Sequence, residues 1–568
     1  MANLIKKIKE TIISAPLLCY LSAFIIFLNG RPMGTPDEFR YGQIPKEMLL
    51  SGNFVAPTMF GHPYFEKPVL GYWFIAASEW LFGFNAFAVR LPMALCTGLT
   101  ALMIYFAVRK ASQKSDLAKY SVMFYFSCAL VVATGTVCVL DPILSCFTTA
   151  MCVTVFFALE EKDSTLKKML LLMLCGISAG LVFLTKGPIG WIFPGFAALG
   201  YIIWNKRWKE FFILPLPILV FCILTVLPWA IAVHRADGDF WRYFVVVEHI
   251  QRFTSDAGGQ HSEPFWYFVP VMIGGVFPGA LALAGVFKMP KTEFSTLLKD
   301  NGLRFCLCGT LLPFLFLSCS NGKLLTYVLP SFPCIAVLMG AVFSRQLENE
   351  NAVKVVEKLP VICTVGTRAI GVIGCIAAIF FVPEPFHRFV FTGGMLFFCV
   401  SVLCQKHGNA PLVKRLDILA VMLAFAAAGT LANVPPEINR SKFPEKSVRA
   451  VKDALPTLEN IRIATNSGYM HSMVWVFDTC DFILLGRKGE HDYAIDRYAK
   501  EGKKSFYFPY DKLDEAIKQA KQDKKTLVVF YETKRQKRFR TNKFTPDKVI
   551  EQPEYTADVY YLSGNNIK

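Results

Sequence analysis

The sequence predicts a polytopic α-helical membrane protein that ends in a water-exposed α/β domain, and three observations carry that prediction. Hydrophobic residues fill 54% of the 568 positions and charged residues only 18%, with a mean hydropathy of +0.41, a balance outside that of soluble domains. Apolar runs close to the ~20 residues needed to cross a bilayer recur from 15–29 to 416–431 and then stop. Positions 432–568 are ordinarily charged and alternate short β-rich runs with amphipathic helical patterns.

Taken in order, the runs give about thirteen spans, beginning near residues 15, 86, 120, 142, 170, 189, 211, 265, 305, 325, 361, 388 and 414. No small-residue cleavage site follows the first run, so it reads as a retained span, and Lys6, Lys7 and Lys9 hold the N-terminus inside. The run at 69–84 is short and carries Tyr72, Trp73, Glu79 and Trp80, which suits a helix lying in the membrane interface. With that assignment the inside loops hold roughly twice the Lys and Arg of the outside loops, and the tail lies outside. The expected organisation is a transmembrane domain over 1–431, with a first outside loop at 31–85 bearing interfacial helices, followed by an α/β domain over 432–568. Its strands are expected at 462–465, 482–485, 505–508, 526–531 and 559–562, with a helix over 511–522. The tail shows no phosphate-binding glycine loop and no metal-ligand spacing, which suits a packing or acceptor-shaping module.

The net charge of +17 does not indicate nucleic acid, because the basic residues are spread over short loops between spans. All but one of the 17 cysteines lie in or beside apolar runs, where a thiol behaves as a small core residue.

The polar residues that are costly in a membrane protein collect outside. Asp37, Glu38, Arg40 and Tyr41 open the first loop, and Tyr64, Glu66 and Lys67 close it. Asp141, Lys186, Lys323 and Tyr327 stand at span ends, and Glu248, His249, Arg252 and His261 share a longer loop. Individually each has a plain role: Asp37 and Asp141 as helix caps, the cations as residues reaching for headgroups, the histidines as hydrogen-bond partners. Collected on one side, the three carboxylates Asp37, Asp141 and Glu66 suit a chemical role: orienting sugar hydroxyls or amines, acting as a base, or holding a divalent cation. The basic and aromatic set Arg40, Tyr41, Tyr64, Lys67, Lys186, Arg252, Lys323 and Tyr327 suits an anionic lipid phosphate.

These runs also resemble a known family. Asp37-Glu38 with Arg40-Tyr41, Tyr64-Phe65-Glu66-Lys67-Pro68, Asp141-Pro142, Leu184-Thr185-Lys186-Gly187, Glu248 to Phe253 and Gly322 to Pro330 resemble the aminoarabinose transferases over about residues 10–435. The resemblance implies a C-type glycosyltransferase fold related to protein O-mannosyltransferases, with thirteen spans and a periplasmic C-terminal domain in the bacterial inner membrane. It implies transfer of 4-amino-4-deoxy-L-arabinose from undecaprenyl phosphate to a lipid A phosphate, with inversion, and polymyxin resistance. Lys67, Arg40, Tyr64, Tyr327 and Arg252 would then hold the carrier phosphate, Asp37 and Asp141 would sit by the sugar, and Glu66 and His249 would be candidate ligands of a divalent metal. Two rivals stand beside it: a transferase using the same carrier with another sugar or a hydroxyl acceptor, and a non-catalytic lipid-phosphate transporter. A transporter should carry polar residues through the bilayer, whereas these spans are nearly free of charge.

Overall fold

The computed structural model describes residues 28–251, 263–384, 386–439, 441–533, 544–553 and 555–561. The first expected span therefore lies outside the described residues for most of its length. The chain divides into two compact units, one of Met1–Arg31, Glu66–Gly71 and Arg90–Val434, the other of Pro32–Phe65, Tyr72–Val89 and Pro435–Lys568.

The first unit is helical. Among the described residues eight helices are long and apolar enough to cross a membrane: Ala86–Ser112, Asp141–Glu160, Thr165–Lys186, Trp208–Ala236, Asn301–Ser318, Leu325–Glu348, Glu350–Phe380 and Phe386–Lys406. Three shorter apolar helices, Pro188–Trp204, Phe265–Val276 and Gly279–Lys288, accompany them. Leu412–Ala432 is apolar beyond Lys414, Arg415 and Asp417 in its first two turns. Only 11% of the Trp208–Ala236 core is buried within the protein, so its all-round apolar surface suits lipid. The spans expected near 120 and 265 are each interrupted, and the two interruptions satisfy one another. Ala129 N donates to Phe277 O at 2.8 Å and Gly279 N to Ser127 O at 3.2 Å, which provides partners for backbone groups that a lipid environment cannot solvate. A Cβ on Gly279 would lie 2.1 Å from Ser127 Oγ, so a larger residue here would have to displace that hydroxyl.

The second unit holds a six-stranded sheet in the order β5-β4-β3-β6-β8-β7, formed by β3 Ile461–Thr465, β4 Phe482–Leu485, β5 Tyr507–Phe508, β6 Thr526–Glu532, β7 Lys548–Glu551 and β8 Tyr555–Tyr560. Strands β5, β4, β3 and β6 run parallel, while β8 is antiparallel to both β6 and β7. β4 is buried at every position, as expected of a parallel strand covered on both faces. The helix Leu513–Gln522 buries Leu513, Ala516, Ile517 and Ala520 against Leu527, Val529 and Tyr531. Strand β8 begins four residues before the sequence suggests, because Asp558 reads as a breaker, yet its carboxylate is satisfied by Tyr531 Oη at 2.9 Å. The same unit contains the helix Asp37–Ser51 and a hairpin of β1 Thr58–Met59 and β2 His62–Pro63.

Leu70–Phe82 is a 13-residue helix, about 20 Å long at 1.5 Å per residue and short of a ~30 Å hydrocarbon core. This length agrees with the interfacial reading. None of the described cysteines, from Cys96 to Cys480, is joined in a disulfide.

Helices Leu359–Phe380 and Phe386–Lys406 meet through glycines: a Cβ on Gly371 would come within 2.7 Å of the Phe398 backbone, and one on Gly394 within 2.8 Å of Cys375 N. Gly371→Val should therefore destabilise the protein by about 1–3 kcal/mol through overpacking. The measurement is the melting temperature in detergent, with Gly366→Val, at a position that has open space around it, as the control that stays near wild type.

Candidate active site

In the second unit the site residues begin on the first turn of Asp37–Ser51, where two carboxylates favour the positive end of the helix. Glu38 is buried, and its Oε2 accepts from Gly34 N at 2.8 Å, closing the entry to the helix. Asp37 caps nothing. Its carboxylate accepts from Arg40 Nη2 and remains 47% exposed, so it can still meet a substrate. The Arg40 side chain is only 11% exposed and also donates from Nη1 to Glu490 Oε1 at 2.5 Å. Its guanidinium lies 4.9 Å from the centroid of the Tyr41 ring. Burial opposes that charge, but Glu490, Tyr64, Tyr41 and Asp37 outweigh it and hold the Arg40 pKa well above its ordinary value. Glu490 Oε2 also faces His471 Nε2 at 3.3 Å. Burial alone would raise the Glu490 pKa, yet Arg40 and His471 hold it far below the usual carboxylate range. Tyr64 is buried at the end of the hairpin and Tyr41 packs on Tyr72 at 6.2 Å.

In the first unit, Asp141 opens the helix Asp141–Glu160 and is buried at 4% exposure. Lys186, the last residue of Thr165–Lys186, donates to Asp141 Oδ1 at 2.8 Å and lies 5.1 Å from the centroid of the Tyr327 ring. A buried carboxylate and a half-buried ammonium thus neutralise one another at two helix ends. Lys67 donates to the Glu66 carbonyl at 2.9 Å and lies 3.5 Å from Glu248 Oε2. Glu248 sits on a π-helical stretch, Arg242–Gln251, a rare conformation frequent at functional sites. Lys323 is 3% exposed and donates to the carbonyls of Ser320 and Glu263, at 2.5 and 2.8 Å, so it braces the loop before Tyr327. The side chain of His249, and Arg252 and His261 entirely, lie outside the described residues. Among the described residues no group of three or more His, Cys, Asp or Glu is placed to hold a metal ion.

Residues 33–244 match the family described as dolichyl-phosphate-mannose-protein mannosyltransferase. The undecaprenyl phosphate-α-4-amino-4-deoxy-L-arabinose arabinosyl transferase of Erwinia tasmaniensis is 32% identical over 501 residues, spanning 84% of this chain and 86% of its own length. The same transferase from Pectobacterium atrosepticum is 32% identical across 87% of this chain and 89% of its own. The chain belongs to this arabinosyl transferase family. Its fold is that of the crystal structure of ArnT from Cupriavidus metallidurans bound to undecaprenyl phosphate, with a TM-score of 0.77 at 19% identity over 97% of this chain and 99% of that one.

As a member of the arabinosyl transferases the chain is a multi-pass membrane glycosyltransferase. In this light each described basic residue of the family motifs has a carbonyl or carboxylate partner. Arg40, Lys67 and Lys186 are held by acids that a phosphate could replace, whereas Lys323 is held by backbone. Sequence reasoning had no means of finding Glu490 or His471. Glu490 stands in a short 3₁₀ helix of the tail, Gly489–His491, 450 positions from its Arg40 partner, and His471 lies in a helix buried on all sides.

Removing Glu490 strands half of a buried ion pair, which costs about 3–5 kcal/mol where the remaining charge stays buried. Glu490→Ala should lower the melting temperature and reduce sugar transfer at least about 10-fold; normal values of both would exclude its role in holding Arg40. Acid should weaken the same unit through its buried histidines. Burial lowers the His62 pKa to about 4, and burial, with His62 and His471, lowers that of His491 to about 3. The unfolded chain takes up these protons first, near pH ~6.5, so stability is intact above that pH and falls between it and the folded values, by about 2 kcal/mol per histidine at pH 5. Hydrogen exchange of the β3 and β4 amides at pH 7.5 and 5.0 checks this, with faster protected-amide opening expected at the lower pH and a smaller change in His62→Phe.

Proposed function

We propose that this enzyme transfers 4-amino-4-deoxy-L-arabinose from undecaprenyl phosphate to a phosphate of lipid A at the periplasmic face of the bacterial inner membrane. The exchange of lipid A negative charge for a masked, amine-bearing phosphate would lower its attraction for polymyxin and other cationic peptides. The observation that carries the reading is the match to transferases of that name along 86% of their length. The paired charges around Asp37, Asp141 and Lys67 supply its chemistry.

The acceptor phosphate is already an anion at neutral pH and needs little help from a general base. Asp37, half exposed beside Arg40, is better suited to steer the sugar's amine or stabilise oxocarbenium-like charge. The bond that breaks joins the anomeric carbon to the carrier phosphate, and the departing polyprenyl phosphate needs cations. Lys67 and Arg252 are assigned that role, with Arg40, Tyr41, Tyr64, Lys186 and Tyr327 shaping the headgroup site, and Lys323 bracing Tyr327. Asp141 holds Lys186 in place until a phosphate competes for it. Glu66 and His249 are the candidate ligands for a divalent cation.

The test is to incubate purified enzyme with undecaprenyl-phosphate aminoarabinose and lipid A and to follow lipid A by mass spectrometry, with and without EDTA. Wild type should add one pentosamine mass and Asp37→Ala should not. Lys67→Ala and Arg252→Ala should each lose about 10²–10³-fold in turnover, the cost of removing one transition-state charge partner. Normal turnover in either would sink its role. A well-folded but inert wild type would redirect the search to other sugars and hydroxyl acceptors.

A further inference from the structure

We propose that Glu47 is a positioning residue that sets the register of Tyr64 against Arg40 by clamping the tip of the β1–β2 hairpin to the Asp37–Ser51 helix. The inference rests on the reading that Arg40 and Tyr64 bind the carrier phosphate. Arg40, Gln43 and Glu47 are spaced three and four residues apart, which places them on one helix face. Tyr64 stands at the base of the hairpin, its N–H donating to Pro57 O at 3.0 Å, and lies within electrostatic reach of the Arg40 guanidinium. The hairpin thus meets the helix at Glu47 through its tip, while its base carries Tyr64 within electrostatic reach of Arg40.

The tip contact is dense. Glu47 is 8% exposed, and its two oxygens accept from Phe60 N at 2.7 Å, Gly61 N at 3.1 Å, Thr58 Oγ1 at 2.9 Å and Gln43 Nε2 at 2.9 Å. The backbone it holds is one that a side-chain-bearing residue rarely adopts. Phe60 has φ +58° and Gly61 φ +76°, the pair of left-handed residues required by a two-residue type I′ turn. At the first of these positions Asn, Asp or Gly is favoured, and phenylalanine is strained there. Two features hold Phe60 in place: the Glu47 carboxylate on two successive N–H groups, and the Phe60 ring buried against His471 at 5.5 Å and Phe482 at 5.3 Å. His471 in turn faces the Glu490 carboxylate that grips Arg40. Both routes from Glu47, through the hairpin to Tyr64 and through Phe60 to Glu490, end at the same guanidinium.

Without the clamp, Phe60 can relax from its left-handed conformation and the hairpin can slide along the helix. A shift of about 1 Å in a binding group costs on the order of 10²-fold in rate. Glutamine is the sharpest substitution, because its amide offers one acceptor oxygen and turns an NH2 toward a backbone donor. In full-length enzyme, Glu47→Gln should exchange the amides of residues 58–64 at least about 10-fold faster, with β3 and β6 unchanged. It should lose about 10²-fold in kcat/KM for the undecaprenyl-phosphate sugar, and the double variant with Tyr64→Phe should lose clearly less than the product of the two single losses, since both changes act on the same guanidinium. Unchanged exchange at the hairpin, wild-type turnover, or additive losses in the double variant would each overturn the proposal. If Glu47→Gln fails to accumulate, Thr58→Val removes a single donor to the carboxylate and should give the same pattern at smaller amplitude, its absence counting against the clamp. Should wild type prove inert with the aminoarabinose donor, the assigned function falls by itself. The exchange measurement and undecaprenyl-phosphate affinity, weakened in Glu47→Gln, then decide the Glu47 inference separately.

Discussion

The second unit is organised around a buried positive charge. Arg40 lies between Asp37, three residues before it on the same helix, and Glu490 in the tail. Desolvating a guanidinium is costly, and the cost is offset only while both carboxylates and the surrounding tyrosines remain in place. The loop segment and the tail therefore have a shared electrostatic requirement. Neither Asp37 nor Glu490 could move far without leaving the other partners with an uncompensated charge. This explains why residues of the first loop pack into one unit with the C-terminal sheet rather than forming an independent excursion between spans.

The helical unit follows the same rule with different partners. Lys186 and Asp141 bring a cation and a carboxylate to two helix ends, while Lys323 uses carbonyls, so the described lysines of the motifs are neutralised or capped before any ligand arrives. An enzyme acting on a polyprenyl phosphate benefits from such a resting state. Under the proposed function an incoming phosphate competes with these acids for the cations, and the fixed geometry would lower the reorganisation needed when charge develops on the leaving group. The interrupted helices around Ser127 and Phe277 show how far the fold accepts irregular backbone in an apolar setting: each break occurs where another break can supply its hydrogen bonds.

Much of this protein is visible in local patterns. Apolar length marks the spans, short β-rich runs locate β3, β4, β5 and β6, and the shortness of 69–84 separates it from the spanning helices. Each of these signals records burial averaged over a few residues. Strand β7, exposed at three of four positions, has no such signal, and β8 is obscured by an Asp558 whose partner, Tyr531, is 27 positions away. The site is half visible in the same way: Asp37, Arg40, Lys67, Asp141 and Lys186 stand out as charges beside apolar runs and as members of family motifs.

By itself, then, the sequence determined the class of the protein, its membrane character, its α/β tail and its family motifs, because hydrophobic length, periodicity and motif identity are properties of contiguous residues. Tertiary structure decided which acid holds which base. The Arg40–Glu490 contact spans 450 positions and Lys186–Asp141 spans 45, and neither spacing has any periodic trace. It also decided that Phe60 occupies a left-handed turn, against its own preference, because a carboxylate on a neighbouring helix and a buried ring pocket outweigh the local strain. Pair energies at these distances depend on where the fold brings the chain back upon itself, information that no window of the sequence contains.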